Sequence, residues 1–118
     1  MEIHEHPEGL KLLRVVASEF DAAFEVHGDC PVQGFGSVRG RDLYFRARND
    51  SWSFDVADSA GNLPSDGYRD SDGFYREAAY PNASWMPHRK AVEIIAACLQ
   101  EYTAGRTEPN PPHRVSGK

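Results

Sequence analysis

Residues 43–56 constrain the fold more than any other part of this chain. Leu43-Tyr44-Phe45-Arg46-Ala47-Arg48 alternates apolar with polar residues, and after Asn49-Asp50 so does Ser51-Trp52-Ser53-Phe54-Asp55-Val56. Period-two alternation marks strands with one buried face. Asn-Asp between two such runs is a two-residue hairpin signal. Closing the turn there sets Ala47 opposite Trp52, Phe45 opposite Phe54 and Leu43 opposite Val56. All six side chains then share one face, as cross-strand packing requires. Upstream, Val32-Gln33-Gly34-Phe35-Gly36-Ser37-Val38 reads as a third antiparallel strand. With a four-residue turn at 39–42, Val38 pairs with Leu43, while Gly36 and Gly34 fall opposite Phe45 and Ala47. Glycines at inner positions leave room for a covering helix or a flat aromatic ring.

Outside the meander the periodicity changes. From Glu8 the apolar residues Leu10, Leu13, Val16/Ala17, Phe20 and Phe24 recur at three-four spacing, the pattern of an amphipathic helix. Pro7 suits the first helical position and Glu8 the positive end of the helix dipole. Residues 10–16 also read as a strand, and Gly9 weakens a helix start; the spacing favours the helix. Residues 57–85 are rich in Gly, Asp, Ser, Asn and Pro, and Ser65-Asp66-Gly67-Tyr68-Arg69-Asp70 is echoed by Ser71-Asp72-Gly73-Phe74-Tyr75-Arg76. Phe74 to Tyr80 can supply a short fourth strand. Pro87 then opens a helix with Ala91, Ile94, Ile95, Cys98, Leu99 and Tyr102 on one stripe and Gly105 as its C-cap. Residues 106–118 hold three prolines and no apolar period, the composition of a disordered tail. The expected fold is one α+β domain over residues 1–105. Its order is α-β-β-β-long loop-α, a three- to four-stranded antiparallel meander with an N-terminal and a C-terminal helix on one face.

The charge balance narrows the partners. Eighteen acidic residues against thirteen basic ones give a formal net charge of −5, which disfavours nucleic acid, because phosphate contacts need clustered Lys and Arg. Gly34-Phe35-Gly36-Ser37-Val38 matches the middle of an RNA-recognition signature. Gln33 stands where that signature needs a basic residue, and Ser37 and Gly40 where it needs aromatics, so no such assignment follows. No apolar run reaches the length of a membrane span. The start is acidic and lacks a signal-peptide core, so a cytoplasmic location is expected. Cys30 and Cys98 lack CxxC spacing and read as free thiols, Cys98 in the core and Cys30 in a loop.

Candidate chemistry is sparse. His4-Glu5-His6 supplies two imidazoles, too few for a zinc site. Asp66, Asp70, Asp72 and Glu77 resemble calcium ligands, but setting Gly73 at the sixth position of the EF-hand loop puts Tyr68 first and Ala79 last. Asp and Gly are also what tight turns require. Cys30 beside His27 and Asp29 has the residue types of an activated nucleophile without a motif that assembles them. No GxSxG, Walker loop or HExxH occurs. No catalytic residue, metal or cofactor is assigned.

The solvent face of the meander carries the functional reading. Tyr44, Arg46 and Arg48 alternate with core residues, and Gln33, Phe35, Ser37, Ser53 and Asp55 share their face. Aromatics mixed with arginines have the composition of protein-binding surfaces; an ordinary solvated face with Arg46–Asp55 pairing is the plainer alternative. Loop aromatics Tyr68, Phe74, Tyr75, Tyr80 and Trp85 divide between a structural lid and a recognition surface. The binding candidates are Phe35, Tyr44, Arg46, Arg48, Tyr68, Arg69 and Tyr75. Together these features describe a small non-catalytic protein-binding module of bacterial type, possible as an inhibitor or immunity-like protein, monomeric or homodimeric. The other reading is a small enzyme or anionic-ligand binder with a pocket between residues 57–85 and the sheet, closed on Arg46 or Arg48.

Overall fold

A computed structural model of the chain describes residues 1–5, 12–68 and 71–105. The strands are β1 (Glu2–Glu5), β2 (Leu12–Ala17), β3 (Ala22–His27), β4 (Val32–Val38), β5 (Arg41–Arg48), β6 (Ser51–Val56) and β7 (Phe74–Ala79), followed by helix α1 (His88–Thr103). The seven strands form one sheet in sequence order, each antiparallel to its neighbours. This corrects the expected fold: the meander has seven strands rather than three or four, and a single C-terminal helix covers it.

The expected N-terminal helix is the hairpin β2–β3 where it is described; residues 6–11, including Pro7, Glu8 and Leu10, lie outside the described residues. Its buried side chains are Leu13, Val15 and Ala17, then Ala22, Phe24 and Val26, which is period two on each side of a turn. Leu13, Ala17 and Phe24 belong to both patterns, so the three-four spacing was a coincidence of two strands. Val15 and Val16 add β-branched preference for the strand. A 3-10 turn at Ser18–Phe20 and Asp21 at φ 55° reverse the chain. Aspartate tolerates that left-handed conformation better than most residues.

The central register follows the sequence. Ala47 faces Trp52, Phe45 faces Phe54 and Leu43 faces Val56. The preceding hairpin is tighter than expected: Val38 pairs with Arg41, placing Gly36 opposite Leu43 and Gly34 opposite Phe45. Arg39 and Gly40, at φ 51° and 79°, form a two-residue turn whose positive angles match the right-handed twist of the strands. The two-residue shift keeps every side chain on its expected face. The glycines have distinct reasons. A β-carbon on Gly34 would lie 3.1 Å from Ile95 Cδ1 of α1, whereas one on Gly36 would strike the backbone of β3, 2.5 Å from Phe24 Cα.

Helix α1 lies across the apolar face and buries Ala91, Val92, Ile95, Cys98 and Leu99. Phe54 meets Phe74 edge-on at 6.1 Å between centroids, and Phe74 meets Tyr102 at 5.4 Å. Phe45 stacks on the partly buried Trp52 at 6.0 Å. Arg76 on β7 donates to Glu101 at 2.8 Å, Arg89 to Glu5 at 2.6 Å, and His88 Nε2 to the Gly28 carbonyl at 2.7 Å. These polar ties fix α1 at both ends. Gly105, at φ 70°, follows the last helical turn as expected, and residues 106–118 lie outside the described residues.

Candidate functional site

With α1 on one face, the opposite face is open among the described residues except where the segment after β6, with Pro64–Asp66, lies against it. Pairing orders its side chains into rows. One runs Arg14–Glu25–Phe35–Tyr44–Asp55–Tyr75, the next His27–Gln33–Arg46–Ser53–Glu77. Beyond these, Arg48 faces Ser51 and Ala79, and Asp42 faces Ser37.

At the centre lies an aromatic run. His27 stacks on Phe35 at 5.5 Å and 18°, and Phe35 tilts against Tyr44 at 5.0 Å. Phe35 is 46 % exposed, and Val16 on the same face is also exposed. The Tyr44 hydroxyl donates to Gln33 Oε1 at 3.1 Å. Burial pushes the Tyr44 phenol above its ordinary range, the charges of Asp55 and Asp66 add to the rise, and Arg46 opposes it.

Residues 57–68 and 71–73 form a wall with its own bracing. Asp55, expected on the solvent side, is fully buried beneath it and accepts hydrogen bonds from the Ser65 amide (3.3 Å) and hydroxyl. Asp58 accepts from the amides of Ala60 (2.9 Å) and Asn62 (2.8 Å). Asp72 accepts from the Ser59 amide at 2.8 Å and lies 3.7 Å from Arg41. The Ser59 amide bond is the chief cause that holds the Asp72 carboxyl below its ordinary range. The loop is thus tied to the sheet through Asp55 of β6, expected from the sequence as a partner of Arg46, and through Asp72 beside Arg41, while Asp58 braces the loop internally.

Two cavities lie beside the strands of this face. One, of about 340 Å³, is lined by Arg46, Arg48, Trp52, Ser53, Tyr75 and Glu77, among others. Among the described residues neither guanidinium has a carboxylate within ion-pair distance. The expected Arg46–Asp55 pair does not form, because Asp55 turns to Ser65. Arg46 Nε is shielded from water and has no hydrogen-bond partner among the described residues. The other cavity, of about 390 Å³, lies between the wall and the edge of the aromatic run, with Asp42 and Asp66 at its margin.

The structure brings together four of the seven binding candidates: Phe35, Tyr44, Arg46 and Arg48. Tyr75 shares their face, but it is 3 % exposed and its hydroxyl donates to Glu77 at 2.5 Å. Its ring is a floor rather than a probe. Tyr68 stands exposed at the far end of the wall, and Arg69 lies outside the described residues. Of the other loop aromatics, Phe74 is core, Tyr80 packs against the core, and Trp85 is 66 % exposed. Asp42 and Leu63 were missed; the tighter 39–40 turn, which lengthens β5 to include Asp42, was the missing signal for Asp42, and no local pattern marks Leu63.

The remaining constellations do not assemble. Cys30 is exposed, but Asp29 lies 3.8 Å from His88 while His27 stacks on Phe35. Cys98 is buried, and burial pushes its thiol up to about 12. His4 contacts Glu2, while His6 lies outside the described residues. Among the described residues no three His, Cys, Asp or Glu side chains gather as metal ligands, and no helix is long and apolar enough to cross a membrane. Comparison with protein-family models, with curated proteins and with solved structures finds no match to this chain.

Proposed function

We propose that this protein is a non-catalytic recognition module whose open sheet face binds an acidic segment of a protein partner. The observation that carries the reading is the Arg46/Arg48 pair: two guanidinium groups with no carboxylate at ion-pair distance among the described residues, in a concavity that Glu77 also lines, beside an exposed aromatic run. Surface arginines usually find acidic neighbours in a chain with this excess of carboxylates. An unbonded, water-shielded donor such as Arg46 Nε costs about 1–3 kcal/mol, and a partner carboxylate reached by a swing of the side chain recovers it as a charge-assisted bond. Phe35 and Tyr44 supply adjacent contact area of the kind that dominates binding energy.

The same donors suit a small carboxylate or phosphate ligand, and a concavity of about 340 Å³ favours that as the second reading. One experiment separates them: affinity capture from the native host by the wild-type protein and by Arg46→Glu/Arg48→Glu, both checked for folding by circular dichroism. Recovery of one partner by the wild type alone supports the module. Recovery of the same partner by both removes the sheet face from the account. A wild type that captures no protein but is stabilised against heat by inorganic phosphate or citrate moves the assignment to the small-anion reading.

A further inference from the structure

On the same face, towards the start of β5 from Arg46 and Arg48, we propose a second site of opposite preference: a pocket for a guanidinium or alkylammonium group, formed by Phe35, Tyr44, Asp42 and Asp66. Its walls come from two independent elements. The sheet contributes the rings of Phe35 and Tyr44, 5.0 Å apart between centroids, and Asp42 at the start of β5. The crossing loop contributes Gly61, Leu63 and Asp66. Between them lies a cavity of about 390 Å³, within the range that holds a side-chain-sized ligand.

The chemistry of the lining selects the ligand. Aromatic faces attract organic cations through their quadrupole, Arg most often. The carboxylates of Asp42 and Asp66 have no ion pair or side-chain hydrogen bond among the described residues; the Asp42 carbonyl accepts from the Ala57 amide at 2.8 Å. Two such carboxylates lining one cavity with two rings and Leu63 match a charged head on an apolar stem, which is the form of an arginine or lysine side chain. A metal ion fits less well, because no third acidic, histidine or cysteine ligand joins them among the described residues. The loop wall is preformed by Asp55–Ser65 and by the Asp58 turn, so little ordering is needed on binding. The acidic net charge of −5 steers cations towards it.

The site shares Phe35 and Tyr44 with the Arg46/Arg48 surface but draws its charge from Asp42 and Asp66, and its test uses defined probes. The ¹⁵N-labelled full chain is titrated with N-acetyl-arginine amide, with its neutral citrulline analogue, and with the tripeptide acetyl-Gly-Arg-Gly-amide. The expected result is saturable shifts at the amides of Gly36, Gly61 and Leu63, with the citrulline analogue at least about tenfold weaker, the discrimination that a charge-assisted contact supplies. Tighter binding of the tripeptide than of the amino-acid amide identifies a peptide side chain as the source; equal binding identifies a small free cation. Asp42→Asn/Asp66→Asn should lose the response while keeping its spectrum otherwise intact, and Arg46→Glu/Arg48→Glu should keep it. Absence of saturable shifts, equal response to citrulline, or an unchanged response in Asp42→Asn/Asp66→Asn overturns the proposal.

Discussion

Phe54 is the residue on which both faces of the sheet depend, and its truncation is the sharpest test of the register. Its side chain is fully buried, faces Phe45 across β5–β6, and sits edge-on to Phe74. Phe54→Ala removes a ring from a site walled by strands on either side and by core residues above, so collapse can fill little of the void. Substitutions of this kind cost about 3–5 kcal/mol. Taking a urea slope of about 2 kcal/mol/M for a domain of this size, the unfolding midpoint should fall by roughly 1.5–2.5 M. Trp52, stacked on Phe45 in the same hairpin, reports the transition by fluorescence. Ser53→Ala, one residue along on the open face, should shift stability by no more than about 0.5 kcal/mol. A loss below about 1 kcal/mol for Phe54→Ala, or equal losses for the two variants, would refute the facing arrangement.

Three further outcomes follow from the same coordinates. Gly36→Ala should destabilise more than Gly34→Ala, at or above the top of the roughly 1–3 kcal/mol range for overpacking, since the first collides with β3 backbone and the second meets the movable end of Ile95; urea unfolding gives the order, and the reverse order contradicts it. A thiol reagent should titrate one cysteine, the exposed Cys30, in the native protein and two after unfolding, because burial holds Cys98 as a thiol up to about 12. Asp72 has a folded pKa below its ordinary 3.8, so the stability it contributes is present above 3.8 and is lost as pH falls through the lower folded value. The Ser59 amide resonance should therefore hold its hydrogen-bonded position past 3.8 on acidification and move only below it.

The sequence revealed the part of this fold where local signals agree. In β5–β6, alternation, turn chemistry and aromatic pairing give the same register, and the register is found. The helix at 88–103 was equally plain, because its apolar stripe persists over four turns. The N-terminal third failed for a definable reason. A β-hairpin whose strands meet at a four-residue turn places Leu13, Ala17 and Phe24 where a helix also needs them, and nothing local decides between the two. Only the presence of β4 as a partner for β3 does, and that is a non-local fact. The open face was legible as a set of residues but not as a surface. Alternation put Asp55 beside Arg46 in water; the loop then buried Asp55 against Ser65 and left Arg46 without its expected partner. Which carboxylate a long loop draws inward is set by the path of the loop, and period-two reading carries no information about that path.

The central claim, that Arg46 and Arg48 present spare donors to an acidic partner, is tested most directly at the Arg46 guanidinium Nε–H itself. A glutamate-rich heptapeptide is titrated into ¹⁵N-arginine-labelled protein at low salt, with the Arg46 Nε–H cross-peak observed. The account predicts a saturable shift with slowed solvent exchange at Arg46 and Arg48, reversed by added salt, while Arg14, already paired with Glu25, stays unmoved. Saturable binding that shifts Arg14 but leaves Arg46 in place, or no binding at all, contradicts it.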